Sequence, residues 1–326
     1  MSMLEPLFFT PLFRSYLWGG RRLETVLHKA LPDAGQWAES WEIVDRGTDQ
    51  SQVADGRWAG YSLRQLIERM PESILGSDAQ ARHGFPLLLK YLDCQRVLSV
   101  QVHPDDAYAK QMAKPDLGKT EAWYVLEAMP GAVVYAGLKP GVDRASLAQA
   151  MAAGRTEECL HQFQPEAGDC IFIPAGTVHA LGAGLIVAEI QQSSDTTFRL
   201  FDWNRLGDDG RSRPLHIAEA LEVSDFARGP VNVAPASRQS GDEDVVLVDC
   251  PQFRLLKRRR SATLASDGDF RILTVVAGSA RLHWPSGQRD LPRGGSTLLP
   301  AACCDVELDL APQSAVLQAT VPRVAG

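Results

Sequence analysis

Short runs of β-type residues, each followed by a turn signal, recur along most of this chain. The candidate strands before residue 228 are 37–45, 85–92, 97–103, 121–127, 132–136, 169–174, 185–192 and 197–203. Turn-forming sequences, such as the Pro-Gly pairs at 130–131 and 140–141, separate them. Many short strands at close spacing are typical of sandwiches and barrels, so the pattern predicts a mainly β protein.

A few stretches have helical rather than strand periodicity. The clearest runs over 62–70, where Leu63, Leu66 and Ile67 recur at i, i+3 and i+4. The sequence therefore predicts a small helical part, with short segments at about 60–82 and 141–163 and a shorter helix at 217–223.

The character of the chain changes after about residue 228. The stretch 229–244, GPVNVAPASRQSGDED, is rich in turn formers and polar residues, as a linker would be. Beyond it, seven strand-like runs follow at a spacing of roughly ten residues, which is typical of a small sandwich or barrel. We predict a first domain over 1–235 and a second β domain over 236–326.

Composition excludes several classes of protein. The 326-residue chain has a formal net charge of −7, which argues against nucleic acid as a partner. Its six cysteines form no CxxC pair, so we expect free thiols in a reduced, cytoplasmic protein. Because no apolar run approaches the roughly 20 residues of a membrane span, and no basic segment precedes the apolar N-terminal stretch, we expect neither a membrane partner nor a secretory signal.

The run 98–103 carries an unusual polar face. Ser99, Gln101 and His103 alternate with Val100 and Val102, and alternate residues of a strand point to the same side. The valines would face a core. The polar side would be costly to bury without partners, and a metal ion could supply them.

Further metal-ligand types follow in the sequence. Lys119 and Glu121 alternate on the next strand, and His179 follows a tight Pro-Ala-Gly turn at 174–176. Two imidazoles, one carboxylate and the Gln101 amide oxygen would suit Zn²⁺, Fe²⁺ or Mn²⁺. A histidine or glutamate on a strand is also common as a hydrogen-bonded structural or solvated residue, so spacing alone leaves both interpretations open.

Seven motifs resemble those of a known family and occur in its order. They are YLWGG at 16–20, WAESWEI at 37–43, FPLLLKYLD at 85–93, LSVQVHPDD at 98–106, GKTEAWY at 118–124, FIPAGTVHAL at 172–181 and VAEIQQSSDTTFRLFDWNR at 187–205. The family is the type I phosphomannose isomerases, in their short bacterial form. The resemblance spans about the first 220 residues, whereas the C-terminal third is similar only in general character.

The resemblance implies a double cupin, that is, two jelly-roll β-barrels with a small helical part, of which the first is catalytic. It implies interconversion of mannose 6-phosphate and fructose 6-phosphate, an aldose–ketose isomerisation through an enediolate. It also implies one Zn²⁺ per chain, held by Gln101, His103, Glu121 and His179. The expected partner is thus a small sugar phosphate, and the chain would be a monomer or a homodimer.

Further site residues follow from the same resemblance. Catalytic positions match Arg199, Glu189 and Lys119, and substrate-binding positions match Ser99, Lys90, Glu39 and Arg205. One departure is Leu17, which stands where long-form enzymes have an aspartate, so the resemblance assigns no carboxylate role to this position.

The residues themselves support several of these roles. Glu189 interrupts an apolar run, where a carboxylate is costly without a function or a partner, and it is our preferred base. Lys119 shares a strand face with Glu121 and could transfer a proton between sugar oxygens. Arg199 could bind the phosphate, stabilise the enediolate, or pair at the surface with Asp195 or Asp202.

Two other functions remain open from the sequence. One is an Fe²⁺-dependent oxygenase using two histidines and a glutamate, and the other is a non-catalytic sugar-phosphate sensor. The basic residues expected at the site favour the isomerase.

Three features outside the expected ligand set give predictions of their own. The tryptophans at 18, 37, 41 and 123 would line the pocket or, as we favour, pack in the core. The basic run 257–260 predicts a solvated strand edge. Asp105 and Asp106 are expected to cap the turn after His103.

Overall fold

The structure is a computed structural model that describes residues 3–77, 84–206, 210–239 and 241–322. Strands predominate in the described residues, and the helices are few and short. The helices are α1 Arg22–Leu27, α2 Leu63–Arg69, α3 Pro71–Leu75, α4 Asp106–Gln111, α5 Arg144–Ala152 and α6 Ile217–Val223. The prediction of a mainly β protein with a small helical part is confirmed.

Two sheets form the first part of the fold. Their strands are β1 Phe9–Thr10, β2 Leu12–Arg14, β3 Glu39–Ile43, β4 Asp45–Arg46, β5 Asp49–Gln50, β6 Gln52–Val53, β7 Leu87–Cys94, β8 Val100–Val102, β9 Glu121–Ala128, β10 Val134–Leu138, β11 Leu160–Phe163, β12 Cys170–Ile173, β13 His179–Leu181, β14 Leu185–Gln192 and β15 Phe198–Phe201. One sheet has the order β12-β9-β14-β7-β3-β2 and the other β11-β10-β13-β8-β15, while β1-β6 and β4-β5 form small pairs.

The two large sheets pack face to face. One hydrophobic cluster contains Trp123 and Val187 from the six-stranded sheet and Val134 and Leu181 from the five-stranded sheet. Strands β7 and β14 pair over eight positions, and all their residues are buried, because apolar runs of this length can be covered on both sides. Two antiparallel sheets around one core form a β-sandwich, the layer arrangement expected of a jelly-roll domain.

The last third of the chain forms a second pair of sheets. Its strands are β16 Val245–Asp249, β17 Arg254–Arg258, β18 Ala262–Leu264, β19 Arg271–Ala277, β20 Ser279–Trp284, β21 Gly287–Pro292, β22 Ser296–Leu299, β23 Val306–Leu310 and β24 Ala315–Thr320. The sheet orders are β16-β17-β24-β19-β22 and β18-β23-β20-β21. Both sheets contribute to one core that includes Leu273, Leu282 and Val306.

Contacts between early and late segments are extensive. Leu4 and Leu7 make β-bridges with Cys303 and Leu298, respectively, and Tyr91 on β7 hydrogen-bonds Thr274 on β19. A single hydrophobic cluster runs through both parts of the fold. The division at residue 235 stays a prediction.

The helices match the sequence pattern in part. Ser62 caps α2 in a reciprocal arrangement with Gln65, and α6 has the predicted bounds. The predicted segment 141–163 is wrong at its end, because α5 stops at Ala152 and the chain turns at Gly154, where φ is +67°. Leu160 is then buried in β11, which pairs with β10. Residues 78–82 of the segment predicted at 60–82 lie outside the described residues.

The basic run 257–260 is not a strand edge, so that prediction is wrong. β17 lies between β16 and β24, and Lys257 is buried with its Nζ 5.0 Å from the centre of the Tyr124 ring. Burial lowers the pKa of Lys257 to about 8. Arg258 pairs with Asp244 at 2.8 Å. A row of charges in the sequence does not reveal that an aromatic ring from another sheet covers one of them.

Other sequence predictions hold, with one exception. Asp105 caps α4 by accepting a hydrogen bond from the Tyr108 backbone N–H at 2.8 Å. The prediction is wrong for Asp106, whose Oδ1 instead accepts from the Gly118 backbone N–H at 2.8 Å and from Gln192 Nε2 at 2.9 Å. Trp18, Trp41 and Trp123 belong to hydrophobic clusters, as favoured, although Trp18 and Trp123 also line a cavity. All six cysteines lie in the described part of the chain and are free thiols. Within the same residues, no helix is long and apolar enough to cross a membrane.

Candidate active site

Strand register places the polar residues of the five-stranded sheet on one face. Strand β8 lies between β13 and β15, and its Gln101 is opposite His179 on β13 and Arg199 on β15. Directly opposed residues share a face, and Ser99 and His103 flank Gln101 at alternate positions. The predicted polar face of 98–103 therefore continues onto both neighbouring strands.

The six-stranded sheet contributes a second polar group. Glu189 on β14 lies opposite Lys90 on β7 and Trp123 on β9, and Glu121 precedes Trp123 by two positions on the same face. The two polar groups come from sheets that share a core, so they lie inside the sandwich.

His103, Glu121 and His179 form a fully buried cluster. Their nearest ligand-type atoms lie within 4.8 Å of one another, with His179 Nε2 at 3.3 Å and His103 Nε2 at 3.8 Å from Glu121 Oε1. The Nδ1 atoms of His103 and His179 lie 3.0 Å from the Thr196 carbonyl and 2.8 Å from the Thr177 carbonyl. Since a carbonyl only accepts, each Nδ1 carries the proton and each Nε2 presents a lone pair to the cluster.

The turn before His179 depends on a glycine. Gly176 has φ of +85°, and a Cβ there would come within 3.1 Å of Asp225 Cβ and of the Val223 carbonyl. Its N–H donates to the His103 carbonyl at 2.9 Å. The Pro-Ala-Gly sequence thus fixes the β12–β13 turn against His103, which directly follows β8.

The cluster fits a metal ion. Among the described residues, the buried atoms Glu121 Oε1 and His179 Nε2 have no hydrogen-bond partner. Leaving such atoms unsatisfied is costly, and a cation between them would satisfy both. Two neutral imidazoles and one carboxylate are ligands that Zn²⁺, Fe²⁺ and Mn²⁺ accept, as is an amide oxygen, and Gln101 lies opposite His179 in the sheet.

Burial sets the protonation of this cluster. It lowers the pKa of His179 to about 3 and that of His103 well below its usual range, with Lys119 adding to the effect at His103. Burial raises the pKa of Glu121 to about 7, although Lys119 opposes the shift. Lys119 Nζ donates to Glu121 Oε2 at 2.6 Å and to His103 Nε2 at 2.9 Å. Neutral imidazoles are the form that binds metal.

A second charged group surrounds Lys90. Its Nζ lies 3.3 Å from Glu189 Oε1, 3.8 Å from Glu39 Oε2 and 5.0 Å from the centre of the Trp41 ring. Trp123 Nε1 donates to Glu189 Oε2 at 3.2 Å. Burial opposes ionisation of Glu189, yet Lys90 and Lys119 lower its pKa below the usual range, whereas burial raises the pKa of Glu39.

A cavity of about 300 Å³ connects these groups, a size that suits a small metabolite. The sequence-predicted residues that line it are Ser99, Gln101, Lys119, Lys90, Glu39, Glu189 and Arg199. The structure thus brings together all the predicted metal, catalytic and substrate-binding residues except one.

That exception is Arg205. It donates to Asp202 Oδ1 at 2.5 Å and to the Val97 carbonyl at 2.6 Å, and it is not among the described residues that line the cavity. Arg213 lines the cavity instead and forms a two-bond fork with Asp202, at 2.7 and 2.6 Å. Arg199 Nε donates to Ser99 Oγ at 3.3 Å.

Sequence reasoning missed several wall residues. Tyr16 lines the cavity and stacks on Trp18, with ring centres 5.6 Å apart; Trp18 also lines it, which was one of its two predicted positions, while Leu17 is not among the lining residues described. Asp195, Thr197 and Arg213 complete this part of the wall. The only available signal for Arg213 was a basic residue in the polar loop before α6.

Fold and site together define a cupin protein in which a cavity with lysine and arginine side chains in its wall lies beside a buried His-Glu-His cluster that fits a metal ion. Residues 7–125 match the model of the phosphomannose isomerase type I catalytic domain. A mannose-6-phosphate isomerase from Streptococcus mutans is 36% identical over 301 residues, covering 91% of this chain and 93% of that protein. This chain belongs to the type I phosphomannose isomerase family, whose enzymes are aldose–ketose isomerases.

Solved structures agree with this placement. The mannose 6-phosphate isomerase from Bacillus subtilis superposes with a TM-score of 0.86 at 30% identity, covering 97% of this chain and 99% of that one. A point mutant of the phosphomannose isomerase from Salmonella typhimurium superposes with a TM-score of 0.80 at 16% identity, covering 98% and 100% of the two chains. At 16% identity the likeness concerns the fold alone.

Proposed function

We propose that this chain interconverts mannose 6-phosphate and fructose 6-phosphate. The observation that carries the proposal is the cavity of about 300 Å³ in which Lys90, Lys119, Arg199 and Arg213 line the wall beside a buried metal-ligand cluster. An anionic sugar phosphate matches this charge. The names of the relatives from Streptococcus mutans and Bacillus subtilis support the same substrate.

The proposed metal is one Zn²⁺ per chain, held by Gln101, His103, Glu121 and His179. Two observations support it. The buried atoms Glu121 Oε1 and His179 Nε2 have no hydrogen-bond partner, and both histidines carry their proton on Nδ1, which leaves Nε2 free to bind a metal. When bound, such an ion supplies Lewis-acid polarisation of the sugar carbonyl and stabilises charge that develops on the enediolate.

We assign the proton transfer between C1 and C2 to Glu189. Lys90 and Lys119 keep this carboxylate ionised despite its burial, and Trp123 fixes one of its oxygens. An ionised carboxylate can remove the proton from one carbon and return it to the other, through an enediolate. Lys119 has its ammonium beside the ligand cluster and can exchange a proton between the two sugar oxygens.

Phosphate recognition is assigned to Arg199 and Arg213. Arginine donates two parallel hydrogen bonds to phosphate oxygens, and both side chains line the cavity. Ser99 holds the Arg199 guanidinium from the next strand. Arg205 was the second phosphate ligand predicted from the sequence, and its bonds to Asp202 and Val97 favour a supporting role for it.

Substitution can show whether Arg213 or Arg205 binds the phosphate. We expect Arg213→Met to raise KM for mannose 6-phosphate about tenfold or more, with a smaller effect on kcat, because a charged hydrogen bond contributes about 1.5–3 kcal/mol. Arg205→Met should change KM much less. Steady-state kinetics with competing inorganic phosphate would measure both. A larger KM effect for Arg205→Met than for Arg213→Met would return the phosphate role to Arg205.

A coupled assay tests the function itself. Purified protein should convert mannose 6-phosphate to fructose 6-phosphate, and a chelator should abolish the activity until Zn²⁺ is restored. Binding of the sugar phosphate without turnover would instead identify a sensor. Oxygen consumption dependent on Fe²⁺ would identify an oxygenase. The four cationic side chains of the cavity wall favour the isomerase over the oxygenase.

A cytoplasmic location is part of the proposal. Its support is the set of six free thiols, five of them buried, since such thiols are usual in reducing compartments.

A further inference from the structure

A polar network outside the cavity joins three separate segments. The Asp116 carboxylate accepts two parallel bonds from Arg46, at 2.9 and 3.0 Å, and further bonds from Ser194 Oγ at 3.2 Å and Thr196 Oγ1 at 2.9 Å. Arg46 also donates to the Ser193 carbonyl at 2.5 Å. A fork of this kind fixes both distance and orientation, so it holds the loop that follows β14.

The loop held in this way touches the site at two points. The Thr196 carbonyl accepts the Nδ1–H of the ligand-type residue His103 at 3.0 Å, and the neighbouring residues Asp195 and Thr197 line the cavity. The partner of Nδ1 sets the tautomer of an imidazole and the direction in which its Nε2 points. Through the Thr196 carbonyl, the position of the loop therefore sets the orientation of the His103 ring and of its Nε2.

We propose that Arg46 and Asp116 are positioning residues that orient His103 for the metal through the loop at 193–197. The inference rests on the metal site of the proposed function. Arg46 and Asp116 are not among the described residues that line the cavity, and their side chains are only 25% and 17% exposed. A partly buried, two-bond pair holds its geometry better than a surface pair, which is what a positioning role requires.

Arg46→Met tests the proposal by metal affinity rather than activity. Competition with a chromophoric chelator should show zinc binding about ten- to a hundredfold weaker than in the wild type. The control is Arg238→Met, which removes another two-bond fork, from Arg238 to Asp169 at 2.7 and 2.8 Å. Both variants should lower the melting temperature, but only Arg46→Met should weaken zinc binding.

Two further variants keep the test decisive. Arg46→Lys retains the charge without the fork and should give an intermediate affinity, and Asp116→Asn serves if Arg46→Met does not fold. The absorption bands of bound Co²⁺ should shift in Asp116→Asn and stay unchanged in Arg238→Met. If Arg46→Met and Asp116→Asn both bound zinc as tightly as the wild type, the positioning role would be overturned, and the proposed function would be unaffected. If the wild-type protein bound no zinc, the proposed metal site would fail and this inference with it.

Discussion

Glu121→Gln should remove bound zinc and reduce kcat/KM by about a thousandfold or more, because the metal is expected to supply several kcal/mol of transition-state stabilisation. Glu121 is the one carboxylate of the cluster, and its Oε1 faces both histidines. The amide keeps the size of the side chain but lacks the charge that a divalent ion needs. Metal analysis and the coupled assay would measure the two effects.

Glu127→Gln is the matched control. Glu127 lies on the same strand, β9, but is partly exposed and pairs with Arg22 and Arg293, away from the cluster. This variant should keep both zinc and activity. His179→Ala should behave like Glu121→Gln. Full isomerase activity in a verified metal-free Glu121→Gln protein would contradict the proposed role of the metal.

Glu189→Gln should lower kcat by about a hundred- to ten-thousandfold, the usual contribution of a general base, while zinc content stays at the wild-type level. The amide can still accept the hydrogen bond from Trp123, but it cannot remove a proton from carbon. Zinc retention separates this variant from Glu121→Gln, since Glu189 lies in the Lys90 group rather than in the ligand cluster.

Solvent exchange identifies the base directly. In deuterated water, the wild type should incorporate deuterium into the sugar at the carbon that receives the proton, and Glu189→Gln should lose this incorporation in parallel with turnover. Undiminished incorporation in a slow variant would assign the base to another group. Glu39 is then the next carboxylate of the cavity to substitute.

Strand alternation was sufficient to predict half of the candidate site. The spacing of Ser99, Gln101 and His103 indicated a shared polar face, and the structure places Gln101 opposite His179 and Arg199 on that face. The period-two geometry of a strand is local, so it can be read from a few residues. Which other strands lie beside it depends on pairing between distant segments, and here the family motifs supplied the missing information.

Residues that are placed by loops, or that are buried by packing between sheets, were not predictable in this way. Arg213 reaches the cavity from a loop, whose path no periodicity specifies, whereas Arg205 was assigned from its position in a family motif. Lys257 lies under the Tyr124 ring, and only the packing of two sheets reveals this. Leu160 fits the apolar spacing of a helix as well as that of a strand. Because the chain turns at Gly154 and the helix ends before it, Leu160 lies in a strand.

The bridges of Leu4 and Leu7 to the last third of the chain affect how the protein emerges from the ribosome. The Leu7 carbonyl accepts a bond from Thr297 Oγ1, a partner 290 residues later in the chain. At 5–20 residues per second, that partner is synthesised roughly 15 to 60 s after Leu7. During this interval the early segment lacks its final bridge partners, so a nascent chain would expose an apolar segment that chaperones can bind.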